Sequence, residues 1–300
     1  MTLQELRYLV ALADHSHFGR AAKACHISQP TLSTQVRKLE EQLGVTLFER
    51  TNKSVHVTAA GEEIVARARR ILADSDAILE AGQRQSAPLS GSFRLGVIPT
   101  LGPYLLPWLV PALRRDYPAL RLAVQEEMTA RLLEGLSSHR LDAALLALPV
   151  NQTGLESRPL FDEPFWLATP RGDKLAKGKA VTQDELHGQP LLLLTEGHCL
   201  RDQALAICGS PESKGAPEGD FRATSLETLR QMVATGLGRT LLPAMALGQP
   251  RDSAIALRPL AGGIGRRVGL VWRRSYPAAR DIELLGKVIV SHLPRGVHRL

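Results

Sequence analysis

The stretch Ser86-Ala87-Pro88-Leu89-Ser90-Gly91-Ser92 constrains this chain more than any other. Residues of this kind interrupt a helical pattern with linker chemistry, so the chain divides near residues 88–91. On the two sides of that break the apolar residues follow different rules. Before it they recur at steps of three and four, which marks amphipathic helices; after it, apolar strand-like runs alternate with helical stretches. A small helical head followed by an α/β module of layered sheet and helices is the architecture this predicts. With 300 residues and 44% hydrophobic content there is enough apolar material for two or three units, each with a core.

In the head, Leu3, Leu6, Leu9, Val10 and Ala13 share one face of a first helix, and Phe18, Ala21, Ala22 and Cys25 repeat the pattern in a second. Cys25 reads as packing. His26-Ile27-Ser28 forms a short turn in which Ser28 is a good N-cap, and Pro30 falls in the first turn of a third helix, where its missing donor costs little. The core stripe of that helix is Leu32, Val36, Leu39 and Leu43, ending at Gly44, while Pro30, Ser33, Thr34, Arg37 and Lys38 face away. Two strands, Leu47–Arg50 and Val55–Thr58, with a polar tip at 51–54, complete a winged helix-turn-helix. Such a head points to double-stranded DNA. Gln29, Pro30, Ser33 and Thr34 are the candidates for base edges; Ser28, Thr31, Arg37, Lys38, Arg50 and Lys53 are the candidates for phosphates. Taken singly, each of these cations reads as part of a solvated face. Bulk charge does not locate the site either: the net charge of +7 resides in residues 251–300, while residues 1–90 carry +1 and 91–250 carry −1.

Thr58 is placed to cap the next helix, in which Ile64, Ala68, Ile71, Ser75 and Ile78 recur at steps of four, three, four and three. That rhythm predicts a dimerising linker helix, its alternative being packing of the same face on its own domain. The predicted division is 1–60 for the head, 61–88 for the linker helix and 91–300 for the α/β module. In the module, strands are expected at 93–98, 120–124, 143–148, 165–169, 191–194 and 268–272. Helices are expected at 103–116, 129–138, 199–207, 226–234 and about 278–291.

Two of the three cysteines, Cys199 and Cys208, bracket one of these helices. Nine helical steps hold their Cα atoms roughly 13 Å apart on opposite faces. A disulfide needs Cα atoms within about 7 Å, so joining them would require the helix to unwind or bend. His198 and Arg201 flank Cys199 at a helix start, which favours a nucleophilic thiolate; Leu205, Ala206 and Ile207 surround Cys208 with apolar groups, which favours a protonated resolving thiol. The alternative is that both are small buried hydrophobes. Zinc fits poorly, since His198, Cys199 and Cys208 offer three ligands without paired short spacings. No metal and no cofactor are expected. No run approaches the ~20 apolar residues of a membrane span, and the N-terminal helix carries Glu5, Arg7 and Asp14, so a cytoplasmic location is expected.

The runs Phe18-Gly19-Arg20-Ala21-Ala22, Ser28-Gln29-Pro30-Thr31-Leu32-Ser33 and Leu39-Glu40 through Leu47-Phe48-Glu49-Arg50 resemble the LysR-type transcriptional regulators. The resemblance extends over the whole chain. Gly197-His198-Cys199-Leu200-Arg201-Asp202-Gln203-Ala204 ending at Cys208, with the 99–107 and 221–229 segments, is similar to the peroxide-sensing members of that family. The resemblance implies an effector module of two subdomains like the periplasmic binding proteins, about 91–163 plus 268–300 and 164–267. It also implies a homotetramer that contacts RNA polymerase and is a regulator rather than an enzyme. By position, Cys199 becomes the peroxidatic thiol and Cys208 its partner in a reversible disulfide. Thr100, Thr129 and His198 line a hydrogen peroxide pocket, with Arg266 as a more distant cation. The competing functions are a regulator responding to a small organic effector and a thiol peroxidase; the DNA-binding head argues against the second.

Overall fold

The structure, a computed structural model, describes residues 1–50, 55–83, 88–209, 223–247, 254–294 and 296–300. They fall into two units, 1–87 with 137–140, and 88–136 with 141–300. In the first, α1 (Leu3–His15) opens with a capping box in which the Thr2 hydroxyl accepts from the Glu5 N–H and the Glu5 carboxylate accepts from the Thr2 N–H. It is followed by α2 (Phe18–Ala24) and α3 (Gln29–Leu43), the latter capped by Ser28 and closed by Gly44 at φ +70°. Leu6, Leu9 and Leu12 of α1, Ala21 and Ala22 of α2, and Leu32, Val36 and Leu39 of α3 form one core. The inward face of α1 thus extends from Leu6 through Leu9 to Leu12, and Leu3 lies outside it. Leu43, at the end of its stripe, is exposed.

The wing consists of β1 (Phe48–Arg50) and β2 (Val55–Val57), paired antiparallel. Glu40 of α3 accepts from the N–H groups of Leu47 (2.9 Å) and Phe48 (3.1 Å), which fixes where the wing leaves the helix. Thr58 caps α4 (Ala59–Gln83) through the Gly61 N–H. A Cβ on Gly61 would stand 2.2 Å from the Leu47 carbonyl oxygen, so only glycine lets α4 approach the wing this closely. The predicted seam on α4 is divided. Ala68 is buried in the head core with Val65, and Ile64 packs against it; Ile71 and Ile78 are 42% and 74% exposed.

The second unit begins where the Leu89 N–H donates to the buried Asp281 carboxylate. Its elements are β3 (Gly91–Val97), α5 (Gly102–Asp116), β4 (Leu120–Glu126), α6 (Thr129–Ser137), β5 (Ala143–Leu148) and β6 (Leu155–Pro170). After these come α7 (Gln183–Leu186), α8 (Cys199–Cys208), α9 (Leu226–Ala234), β7 (Thr240–Pro243), β8 (Ile255–Pro259), β9 (Gly265–Arg273), α10 (Ala279–Ser291) and β10 (His298–Arg299). The sheet order is β10-β6-β9-β5-β3-β4, with β3 parallel to both β4 and β5.

One strand organises the whole unit. From Leu155 to Pro164, β6 pairs antiparallel with β9; from Phe165 to Pro170 it pairs instead with β7 and β8. Two separate cores result. The first collects Leu95, Val97, Leu105, Leu145, Phe161, Leu270 and Leu285, and the second Phe165, Leu167, Leu186, Leu200, Leu229 and Leu241. At the changeover, a Cβ on Gly265 would lie 2.2 Å from the Glu163 carbonyl oxygen, which is why β9 starts on glycine. The strand expected at 191–194 is reduced to a single bridge between Leu194 and Ala223.

Candidate thiol site and nucleic-acid interface

α8 spans the two cores, with Cys199 as its first residue and Cys208 as its last. Cys199 is half-buried and packs against the first core, whereas Cys208 is 3% exposed and belongs to the second. The two thiols are not bonded to each other. Burial pushes the Cys208 thiol up from its ordinary value, so it stays protonated where it sits. Before the helix, Gly197 takes a left-handed φ of +92°, and a Cβ there would lie 3.7 Å from Met128 Cγ. The turn into α8 therefore rests on the residue preceding Thr129.

His198 is the N-cap residue of α8, but its side chain makes no capping bond. It is 3% exposed, which rules out a surface-loop position, and its Nε2 is buried without a hydrogen-bond partner. Burial pulls the imidazole below its ordinary value, so the neutral ring is favoured. Thr129 Oγ1 is likewise buried without a partner. Such polar atoms are costly inside a protein and are concentrated at functional sites. Arg201, expected near the sulfur, donates Nη1 to the Leu194 carbonyl (3.3 Å).

Thr100 and Arg266 are brought together directly. Arg266 Nη1 donates to Thr100 Oγ1 (2.6 Å) and Nη2 to the Thr100 carbonyl (2.9 Å). Its Nε donates to Glu163 Oε2 (2.8 Å), and the other Glu163 oxygen accepts from the Met245 N–H (2.9 Å). Both side chains of this ion pair are fully buried. Buried charges are tolerated only when nearly every donor and acceptor is matched, as here. Glu163 was not singled out from the sequence. Its signal lies in the register, which puts Glu163 opposite Arg266 in the β6–β9 ladder and is not readable without the fold. Tyr104, also missed, packs against both cores and is held above its ordinary value, chiefly by burial.

At the far end of α8 the last carbonyls are tied down. The Cys208 carbonyl accepts from the Gly188 N–H (3.0 Å), and the Ile207 carbonyl from Gln183 Nε2 (3.2 Å). Gly209 then takes φ +63°, and a Cβ there would meet His187 Nε2 at 2.4 Å.

On α3, Ser28, Gln29, Pro30, Thr31, Thr34, Arg37 and Lys38 are exposed and Ser33 is half-buried. Ser28 Oγ accepts from the Thr31 N–H and lies 2.7 Å from Thr31 Oγ1, so these hydroxyls already form the cap. Arg37 is paired with Glu41 one turn on, at 3.2 Å. Lys53 lies outside the described residues, as does the side chain of Arg50. Among the described residues no helix is long and apolar enough to cross a membrane, and no cluster of candidate metal ligands occurs.

Comparison with known proteins agrees with this layout. Residues 3–62 match the bacterial regulatory helix-turn-helix protein of the lysR family, and residues 86–294 match the LysR substrate binding domain. A hydrogen peroxide-inducible genes activator of Dickeya chrysanthemi is 44% identical, over 100% of this chain and 98% of its own length. The structure of the full-length OxyR C199D variant from Pseudomonas aeruginosa superimposes with a TM-score of 0.81 at 41% identity, covering 98% of this chain and 99% of that one. A structure of the oxidised form of OxyR matches with a TM-score of 0.60 at 42% identity, covering 68% of this chain and 96% of that one.

Proposed function

The chain belongs to the LysR family of bacterial transcriptional regulators, in its OxyR group, and from that premise we propose how its own residues sense hydrogen peroxide and report it to DNA. The family is one of regulators and not an enzyme class. Cys199 as thiolate attacks one oxygen of peroxide; the O–O bond breaks, sulfur gains an S–OH bond, and hydroxide leaves and takes up a proton. The neutral His198 ring and the Thr129 hydroxyl, both without partners, hydrogen-bond the peroxide. Thr100, fixed by Arg266, bounds the pocket. Cys208 then attacks the sulfenic sulfur, the S–S bond forms and water departs.

The observation that carries this reading is the position of the two sulfurs. They sit at opposite ends of one intact helix and against different cores, so the disulfide forms only if α8 gives up its shape. Repacking between the cores then alters the spacing of the DNA-binding heads, which dimeric DNA binding reads directly. In the head, Gln29, Pro30, Ser33 and Thr34 meet base edges, and Ser28, Thr31, Arg37, Lys38, Arg50 and Lys53 meet phosphates. The working division is a head at 1–60, a linker helix at 61–88 that pairs two chains through Ile71 and Ile78, and an effector module at 91–300. Its halves are about 91–163 plus 268–300 and 164–267. The assembly is a cytoplasmic homotetramer that contacts RNA polymerase.

Thiol mapping by mass spectrometry after stoichiometric peroxide, beside a footprint of the same sample on promoter DNA, tests the proposal. A 199–208 crosslink together with a shifted footprint is expected. Oxidation without that crosslink overturns it.

A further inference from the structure

The described residues include an arginine whose side-on fork grips nothing, under a loop crowded with positive charge. Arg258 lies in β8 opposite Leu167 of β6. Its Nε and Nη2 are both buried and meet no acceptor. Elsewhere in the chain the same two donors hold a carboxylate: Arg267 grips Asp162 at 2.7 and 2.9 Å, and Arg94 grips Asp142 at 3.1 and 2.8 Å. A buried guanidinium edge without an acceptor is expensive, and its planar geometry matches a two-oxygen anion.

A second orphan lies beside it. Thr169 is fully buried, and its Oγ1 has no partner. It pairs with Ala256, so on the β6–β8 ladder it occupies the same face as Arg258, two positions along. The segment 171–181 arches over β8, held at one end by the Arg171 N–H on the Ala254 carbonyl (3.2 Å) and at the other by the Val181 N–H on the Pro259 carbonyl (3.0 Å). Gly178, at φ +99°, comes so close that a Cβ would lie 3.0 Å from Arg258 Nη2. The arch carries exposed Arg171, Lys174, Lys177 and Lys179 against one acid. That acid, Asp173, is engaged by the Leu175 N–H and by Arg239 Nε (2.6 Å). Every charge left over is positive.

We propose that the unpartnered donors beneath the 171–181 arch form an oxyanion site, in which the Arg258 fork and the Thr169 hydroxyl bind a phosphate group, the arch shifting to admit it, and the arch lysines supply its countercharge. The site is separate from the thiols and does not depend on the peroxide reading. Calorimetric titration of the reduced full-length protein with inorganic phosphate, against sodium chloride at matched ionic strength, tests it. Saturable phosphate binding is expected, weakened at least about tenfold by Arg258→Gln and about threefold by Thr169→Val. A parallel titration with glycerol 3-phosphate separates the free ion from an organic phosphate; preference for either supports the site and names its source. Phosphate behaving as chloride does, or variants that bind as the parent does, overturns the proposal. Should Arg258→Gln fail to fold, Thr169→Val and Lys177→Gln decide the matter by the same criterion.

Discussion

The two ends of α8 are built differently. At the first, His198 occupies the cap position without capping, the preceding glycine is turned left-handed, and Cys199 is only half-buried. At the last, Cys208 is buried, and two carbonyls of the final turn are held by the segment containing α7. The peroxide-reactive thiol thus sits at an end whose helix donors are loosely committed, and its partner at an end that is latched. A ten-residue helix has little stability of its own, since nucleation is costly and packing supplies most of the support. On the proposed mechanism, the latch sets how readily Cys208 leaves its core, and the loose end sets how readily Cys199 meets the oxidant.

The largest test of this asymmetry is removal of each sulfur. Cys199→Ser should abolish both the crosslink and the peroxide-dependent footprint. Cys208→Ser should still be oxidised, trapping a sulfenic acid that a dimedone-type probe labels, with no crosslink. Equal labelling of the two single variants would break the comparison. Next comes the latch itself. Gly209→Ala forces an alanine into the left-handed region at a cost of about 1–2 kcal/mol, so the final turn should open more readily and the crosslink should form up to about thirtyfold faster. Stopped-flow oxidation followed by timed acid quench reads that rate. Gln183→Ala removes one hydrogen bond to the Ile207 carbonyl, worth about 1 kcal/mol, and should quicken closure by about fivefold or less. Closure unchanged in both variants would mean that the latch does not limit the reaction.

The head was largely legible from its residues, because its signals are local: a cap at Ser28, a stop at Gly44 and apolar steps of three and four. Even there the register slipped on α1, where Leu12 rather than Leu3 faces the core, since helix ends drift from the ideal stripe. In the effector module, the first half of β6 did not show itself. Arg158-Pro159 and Asp162-Glu163-Pro164 look like loop residues, and they form strand because β9 pairs with them across a separation of roughly a hundred residues. The same long-range pairing creates the Glu163–Arg266 pair under Thr100. No local pattern announces it. The cysteines were legible as a pair, but the α7 latch at Ile207 and Cys208 was not, because it joins loops whose contacts only the fold defines.

The smallest effect separates the two ends by their protons. Burial lowers His198 below its ordinary 6.5, so the unfolded chain binds the proton more readily. The stability this group confers is fully present above pH 6.5 and is lost as pH falls toward the depressed folded value. Burial raises Cys208 above its ordinary 9.0, so here the unfolded chain loses its proton first. That contribution is fully present below pH 9.0 and is lost as pH rises toward the elevated folded value. Subtracting the melting curves of His198→Gln from those of the parent should therefore leave a slope only on the acid side, and those of Cys208→Ser only on the alkaline side. Other titrating groups are shared by parent and variant and cancel in the difference. A difference slope on the same side for both variants would mean that the two ends do not occupy the distinct environments from which their separate roles follow.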